Sequence, residues 1–358
     1  MKKNIAVLPG DGVGPEVIRE AVKVLKKIGE VFGHSFTFTE GLIGAAAIEK
    51  VGNPYPEETH ELCTKSDAIL FGAIGDPKYD NDPKAKVRPE QGLLKMRKSL
   101  NLFANIRPVF VFDPLISSSP LKPEIVKQVD FVVIRELTGG IYFGEPRGRR
   151  DQGKTAFDTC VYSEEEILRI AKVAYDIAGK RRKKVTVVDK ANVLETSRLW
   201  RETIQKFSKK YPDIETHYMF VDNAAMQIIK KPVEFDVILT ENMFGDILTD
   251  EASMISGSLG MLPSASIGSK TALYEPIHGS YPKATGKNSA NPIAAILSVE
   301  MLLKYSFNMF QESHAVFQAI KKTLDEGWRT GDIANNSTLQ DKIIGTKEMG
   351  EKIIKNVS

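Results

Sequence analysis

The chain has 358 residues, enough for about two domains and a sizeable core. Hydrophobic residues make up 42% and charged residues 27%, as in an ordinary globular protein; a net charge of +3 gives no reason to expect nucleic acid or an anionic membrane as partner. Two cysteines, Cys63 and Cys160, lie far apart without a Cys-x-x-Cys spacing. They exclude a disulfide framework and suggest a reducing, cytoplasmic setting. After Met1-Lys2-Lys3 no apolar stretch reaches the length of a signal peptide or a membrane span, so neither is expected.

Residues 4–8 read as a buried strand. Gly10-Asp11-Gly12-Val13-Gly14-Pro15 follows it and opens a helix, much as a dinucleotide fingerprint does. That fingerprint needs glycines at its first, third and sixth positions, and here Pro15 holds the sixth. The segment is therefore read as a strand-to-helix turn, and a nicotinamide cofactor is not expected to bind in the Rossmann manner. Helix 15–29 opens with Pro15 and repeats Val17, Ile18, Ala21, Val22, Leu25 and Ile28 at helical spacing.

A second strand-like run covers 68–71. Arg97 lies in LLKMRKSLNLF, and Arg107 stands before a proline that keeps it out of a regular helix. Segment 113–123, with its prolines and serines, is expected to be a surface excursion. Strand 131–134 ends at Arg135, where ligands tend to bind in an α/β sheet. Three guanidinium forks suit a substrate with two carboxylates, although each arginine alone also fits a surface ion pair.

RELTGGIYFGEPRG, residues 135–148, sets Tyr142 among Gly139, Gly140 and Gly144. It reads either as a hairpin with a packed tyrosine or as a proton donor in a tight loop. Helix 163–178 opens on a capping box of Ser163 and Glu166 and stops at Gly179. The basic run 181–184 reads as cations at a helix end. Strand 185–188 leads to Lys190, either a surface lysine or a base at a strand end.

Further strands are expected at 217–221 and 235–239. GDILTDE, residues 245–251, reads as helical and places Asp246 and Asp250 on one face. That is either a solvated acidic face or half of a site for a hard divalent ion. EPIHGSYPKATGKNSANP, residues 275–292, is a loop entering helix 292–306 at Pro292. Its amides could face a nucleotide, whereas His278 alone reads as a structural histidine. Short strands alternating with amphipathic helices make this an α/β protein.

Together and in this order, LPGDGVGPEV, RELTGGIYFGEPRG, DKANVLETSRLWR, ENMFGDILTDEASMISGSLG and GWRTGDIA resemble the β-decarboxylating isocitrate/isopropylmalate dehydrogenases over nearly the whole chain. The resemblance implies a two-domain fold with a non-Rossmann cofactor site. One domain would comprise 1–102 plus 257–358, the other 103–256 with the metal and substrate site and the dimer interface. Arg97, Arg107 and Arg135 would hold substrate carboxylates. Asp246 and Asp250, with Asp222, would bind Mg2+ or Mn2+. Tyr142 would be the general acid and Lys190 the base-side residue. Lys190 and Asp222 would come from a second copy, which implies a homodimer.

NAD would lie against two loops. One runs from Asp76 through Pro77, Lys78 and Tyr79 to Pro89. The other comprises His278, Gly279, Ser280, Tyr281, Pro282, Lys283, Ala284, Thr285, Gly286, Lys287, Asn288 and Asn291. Glu90, Leu93 and Leu94 occupy the position that selects the third substituent of a malate core, with Val193 from the second copy. The leucines suit an isopropyl group, and burying a third carboxylate against them would cost several kcal/mol. The expected reaction is oxidation and decarboxylation of 3-isopropylmalate to 4-methyl-2-oxopentanoate, in leucine biosynthesis. A relative acting on isocitrate, homoisocitrate, tartrate or a methylmalate is the first alternative. A non-catalytic regulatory subunit is the second. Lys283 stands where these enzymes usually carry an acid that rejects NADP, so weaker rejection of NADP is expected.

Overall fold

The computed structural model describes residues 1–82 and 85–358, with Asp80 in its backbone only. In chain order the strands are β1 Lys2–Gly10, β2 Ser35–Glu40, β3 Ala68–Ala73, β4 Ala104–Phe110, β5 Asp130–Glu136 and β6 Gly148–Arg150. They continue with β7 Thr155–Phe157, β8 Lys184–Asp189, β9 Glu215–Phe220, β10 Val237–Thr240, β11 Pro263–Ile267 and β12 Ala272–Pro276. The first helices are α1 Gly14–Phe32, α2 Gly44–Val51, α3 Glu57–Lys65, α4 Pro77–Asp80, α5 Pro89–Ser99 and α6 Pro123–Val126. They are followed by α7 Glu164–Ala178, α8 Glu195–Ser208, α9 Val221–Lys230, α10 Asn242–Ser253, α11 Ile293–Tyr305, α12 Phe310–Asp325 and α13 Thr346–Asn356.

The chain divides into two compact units. The first holds Met1–Leu102, Phe112–Pro120 and Ser256–Ser358; the second holds Phe103–Val111 and Leu121–Ile255. The single middle stretch expected at 103–256 departs from this division at Ser256 and at Phe112–Pro120.

In the first unit the strand order is β2-β1-β3-β12-β11, with β11 and β12 antiparallel and the other pairs parallel. All six residues of β3, AILFGA, are buried, as a strand covered on both faces requires. Helix α11 has ten buried residues among thirteen and packs on α1, α12, β11 and β12. At about 1.5–3 kcal/mol for each fully buried large aliphatic side chain, it cannot leave this core. It is nonetheless far shorter than a bilayer crossing. No described helix is long and apolar enough to cross a membrane.

The turn from β1 to α1 shows what its glycines are for. At Gly12 (φ +60°) a Cβ would lie 2.0 Å from the Ser280 carbonyl oxygen. The Val13 amide donates to that same oxygen at 2.8 Å. Asp11 accepts from Ala45 and Ala46 in the first turn of α2 and from Gly75. The small residues therefore admit a second backbone and place a carboxylate to cap a helix.

Most residues of 113–123 are exposed or half-buried, as expected of a surface excursion, but the segment is anchored. Asp113–Ser118 form a 3₁₀ turn that buries Leu115, with Phe112 buried beside it. Ser118 donates to the Ile333 carbonyl, and Arg329 donates to the Pro114 carbonyl. The prolines shape a packed turn here.

In the second unit the order is β4-β5-β10-β8-β9; β4 is antiparallel to β5, and the other pairs are parallel. Trp200, Tyr162, Tyr175 and Phe131 fill its interior. The capping box on α7 forms: Ser163 accepts from the Glu166 amide, and Glu166 accepts from Ser163. Arg181 clamps Asp130 and Asp236, so the basic run begins with a structural ion pair. A two-stranded hairpin, β6 with β7, carries the exposed Arg149 and Arg150.

Candidate active site

In the β4–β5 ladder Arg107 faces Val133 and Asn105 faces Arg135. Side chains alternate along a strand, so Asn105, Arg107 and Arg135 share one face. Helix α10 packs against both strands. Its residues 242, 246, 249 and 250 recur at helical spacing. Gly245 permits the close approach, since a Cβ there would meet the Arg135 Cγ at 2.7 Å.

Asp246 is the hub. Arg135 Nη1 donates to its Oδ1 at 2.5 Å, and Arg107 Nη2 lies 3.5 Å from the same oxygen. The Tyr142 hydroxyl donates to its Oδ2 at 2.9 Å. Arg107 also donates to Thr249 and Asn105, and its Nη1 stands 3.8 Å from Asp250. Tyr142 ends a 3₁₀ turn, Gly140–Tyr142, and the hairpin begins six residues later. Burial, and then the Asp246 carboxylate, push the Tyr142 phenol up to about 12. It therefore keeps its proton at neutral pH. Glu136 anchors the preceding loop by accepting from the Thr138 and Gly139 amides and from Arg169.

Burial raises the Asp250 carboxyl, Asp246 raises it further, and Arg107 opposes both. Two buried arginines and two aspartates cancel in charge. A divalent ion would add two positive charges, which a dicarboxylate would neutralise. The donor set is all oxygen, as hard ions prefer. The residues thus fit half of a Mg2+ or Mn2+ site. No group of three such ligands occurs among the described residues of one chain.

Lys190 and Asp222 form a separate pair. Lys190 Nζ donates to Asp222 Oδ1, which holds that carboxyl below its usual range. Lys190 follows β8 and Asp222 lies in the first turn of α9; β8 and β9 are parallel neighbours. Val193, in the turn after Lys190, is 60% exposed.

In the first unit, Glu90, Leu94 and Arg97 share a face of α5 at i, i+4 and i+7. Arg97 is buried and donates to Glu275 at 2.9 Å, while its Nε has no partner. Leu93 is partly buried against the core cluster with Leu62 and Ile74, and Leu94, half-buried as well, lies outside that cluster.

The loop after β12 is pinned from several sides. Glu16 accepts from the Gly286 and Asn288 amides, Asn288 donates to Glu348, and Asn291 donates to Asp332. Tyr281 is exposed with φ +41°, and Lys283 is exposed on the turn Pro282–Ala284. Burial pushes the His278 imidazole down, so it is neutral. Its Nδ1 lies 2.9 Å from the Gly279 carbonyl, and its buried Nε2 has no partner. An orphaned ring nitrogen in a rigid glycine loop fits a nucleotide's polar edge.

In the other expected cofactor loop, Asp76 caps α4 by accepting from the Lys78 amide, and Lys78 pairs with Glu49. Tyr79 accepts from Arg88 through its carbonyl, and Pro89 is buried at the start of α5. Pro83 and Lys84 of this loop lie outside the described residues.

Sequence reasoning missed Asn105, Asn242, Thr249, Glu136 and Glu275. All are buried polar residues that touch an expected site residue or its loop. For the first four the only local signal was a position within one helical turn of an expected site residue; Glu275 meets Arg97 from a distant part of the chain.

A family model described as isocitrate/isopropylmalate dehydrogenase matches residues 4–353. The 3-isopropylmalate dehydrogenase of Aquifex aeolicus is 56% identical, covering 100% of this chain and 98% of its own. That of Geobacillus kaustophilus is 57% identical, covering 98% and 94%. The crystal structure of isocitrate dehydrogenase from Methylococcus capsulatus superposes with a TM-score of 0.88 at 33% identity, covering 99% of each chain.

Proposed function

The chain belongs to the isocitrate/isopropylmalate dehydrogenase family, and from that premise we propose that it oxidises and decarboxylates (2R,3S)-3-isopropylmalate to 4-methyl-2-oxopentanoate, reducing NAD. What carries the reading is the convergence of Arg107, Arg135, Tyr142, Asp246 and Asp250 in one half-site. The high identity to enzymes named for this substrate, and the apolar Leu94 beside Arg97 on α5, favour isopropylmalate over a tricarboxylate.

Arg97, Arg107 and Arg135 take the two carboxylates through guanidinium forks. Asp246 and Asp250, with Asp222 of the partner subunit, would hold Mg2+ or Mn2+. When bound, such an ion lowers the pKa of the substrate hydroxyl and stabilises negative charge on its oxygen. The Lys190 side receives the hydroxyl proton while the C–H hydride passes to the nicotinamide. The bond to the neighbouring carboxylate then breaks, CO2 leaves, and its electron pair stays on the substrate as an enolate. Tyr142 gives its proton to the enolate carbon, which leaves the 2-oxo acid, and is reprotonated from solvent.

Sharing Lys190 and Asp222 between subunits requires a homodimer. Supporting this, α9 and α10 expose Met226 and Ile247 at 61% and 60%. The free thiols Cys63 and Cys160 fit a cytoplasmic location. The deciding experiment is NAD reduction with 3-isopropylmalate, isocitrate and other 2-hydroxy diacids, with and without Mg2+. Metal-dependent turnover fastest with isopropylmalate is expected; no turnover of any of them refutes the reading.

A further inference from the structure

Asn242 is the first residue of α10 and is fully buried. Its Oδ1 accepts from Arg135 Nε at 3.0 Å and from Nη2 at 2.8 Å. One oxygen therefore fixes the side edge of the guanidinium, and Nη1 is left to reach Asp246. The Asn242 Nδ2 donates to the Gly139 carbonyl at 3.1 Å. That contact fixes which way round the amide sits, because only nitrogen can donate to a carbonyl. Its backbone amide donates to the Tyr162 hydroxyl, and Asn242 is thereby immobilised.

Gly139 precedes the 3₁₀ turn that carries Tyr142, and Tyr142 returns to Asp246. Hydrogen bonds thus link Gly139, Asn242, Arg135, Asp246 and Tyr142 in turn, and the chain from Gly139 to Tyr142 closes the ring. Gly245, one turn along α10, lets the Arg135 stem pass, with room for no Cβ. The same turn of helix therefore sets both the fork and the phenol. A carboxylate-binding group and a proton donor must hold a fixed spacing to serve one small substrate.

We propose that Asn242 is a positioning residue for the reaction, its amide oxygen aiming Arg135 and its amide nitrogen setting the loop that carries Tyr142. This rests on the roles proposed above for those two residues. Its two amide atoms have separable effects, and two substitutions divide them. Asn242→Asp keeps an acceptor for Arg135 but turns an oxygen toward the Gly139 carbonyl. Asn242→Ala removes both contacts.

The test is steady-state kinetics of the full-length enzyme with 3-isopropylmalate, NAD and Mg2+, alongside thermal unfolding. Asn242→Ala should raise the KM for isopropylmalate about tenfold or more while the KM for NAD stays within about twofold. Asn242→Asp should hold the isopropylmalate KM within about threefold yet lower kcat about tenfold or more. A merely structural role would instead lower kcat alike in both variants at unchanged KM, and that result, or normal kinetics in both, overturns the proposal. If Asn242→Ala does not fold, Asn242→Asp decides alone by single turnover: NADH formed at nearly the wild-type rate while steady-state kcat falls about tenfold or more supports the proposal, and an equal fall in both, or no fall in either, refutes it. Failure of the wild type to oxidise isopropylmalate would sink the functional reading instead, and is seen before any variant is made.

Discussion

Replacing Tyr142 by Phe removes one oxygen and leaves the ring. Two effects of different size follow. The lost hydrogen bond ends on a charged carboxylate, and such bonds are worth about 1.5–3 kcal/mol. Asp246 keeps Arg135 at 2.5 Å and its side chain is one-third exposed, so the loss should be nearer ~1 kcal/mol. For a chain of this size that lowers Tm by roughly 2–4 °C or less. The lost proton donor should cost far more, about 10²- to 10⁴-fold in kcat, or ~3–5 kcal/mol. The order of steps gives a sharper test. Tyr142 acts after hydride has left, so a single-turnover measurement should still show NADH formed at nearly the wild-type rate. Steady-state turnover and release of 4-methyl-2-oxopentanoate should fall. Should NADH formation drop by the same factor as turnover, or should kcat hold, Tyr142 is not the acid that protonates the enolate.

Mn2+ should raise the Tm of the wild type, by about 2.7 kcal/mol of stability at a hundredfold excess over Kd, and should leave Asp250→Asn unmoved. An equal rise in both would remove Asp250 from the ion site. The gain should also shrink as pH falls through the raised titration range of Asp250, because a protonated carboxyl binds no ion. The ratio of kcat/KM for NAD over NADP should stay under roughly a thousandfold, ~4 kcal/mol, and should rise about tenfold or more in Lys283→Asp. A wild-type ratio above that bound refutes the reading of Lys283. His278 provides a pH signature. Burial holds its folded pKa below 6.5, so the neutral ring contributes stability that is present above pH 6.5 and lost as pH falls toward the folded value. Between pH of about 7.5 and 5.5, Tm should therefore fall more steeply for the wild type than for His278→Gln. Parallel curves would show that the ring is not kept neutral by the fold.

The sequence by itself fixed the α/β class and most central strands, because buried parallel strands are continuous apolar runs and need no partner to be recognised. It also placed helices α1, α7 and α11 within a few residues, through apolar spacing, a capping box and Pro292. Strand β2 escaped, since its pattern SFTFTE is half polar; β4 escaped because Pro108 lies within it; and β11 and β12 escaped because PSASI and ALYEP mix prolines and polar residues into short runs. At the site, Asp246 and Asp250 were legible from a spacing of four, which is a property of a helix alone. Their partners were not. That Arg135 runs past Gly245, that Asn242 grips it, and that Arg97 is held by Glu275 are all contacts between distant parts of the chain. Local spacing cannot encode which of many buried polar groups will meet; packing decides that, because a buried donor left without an acceptor costs free energy and most therefore pair within the fold.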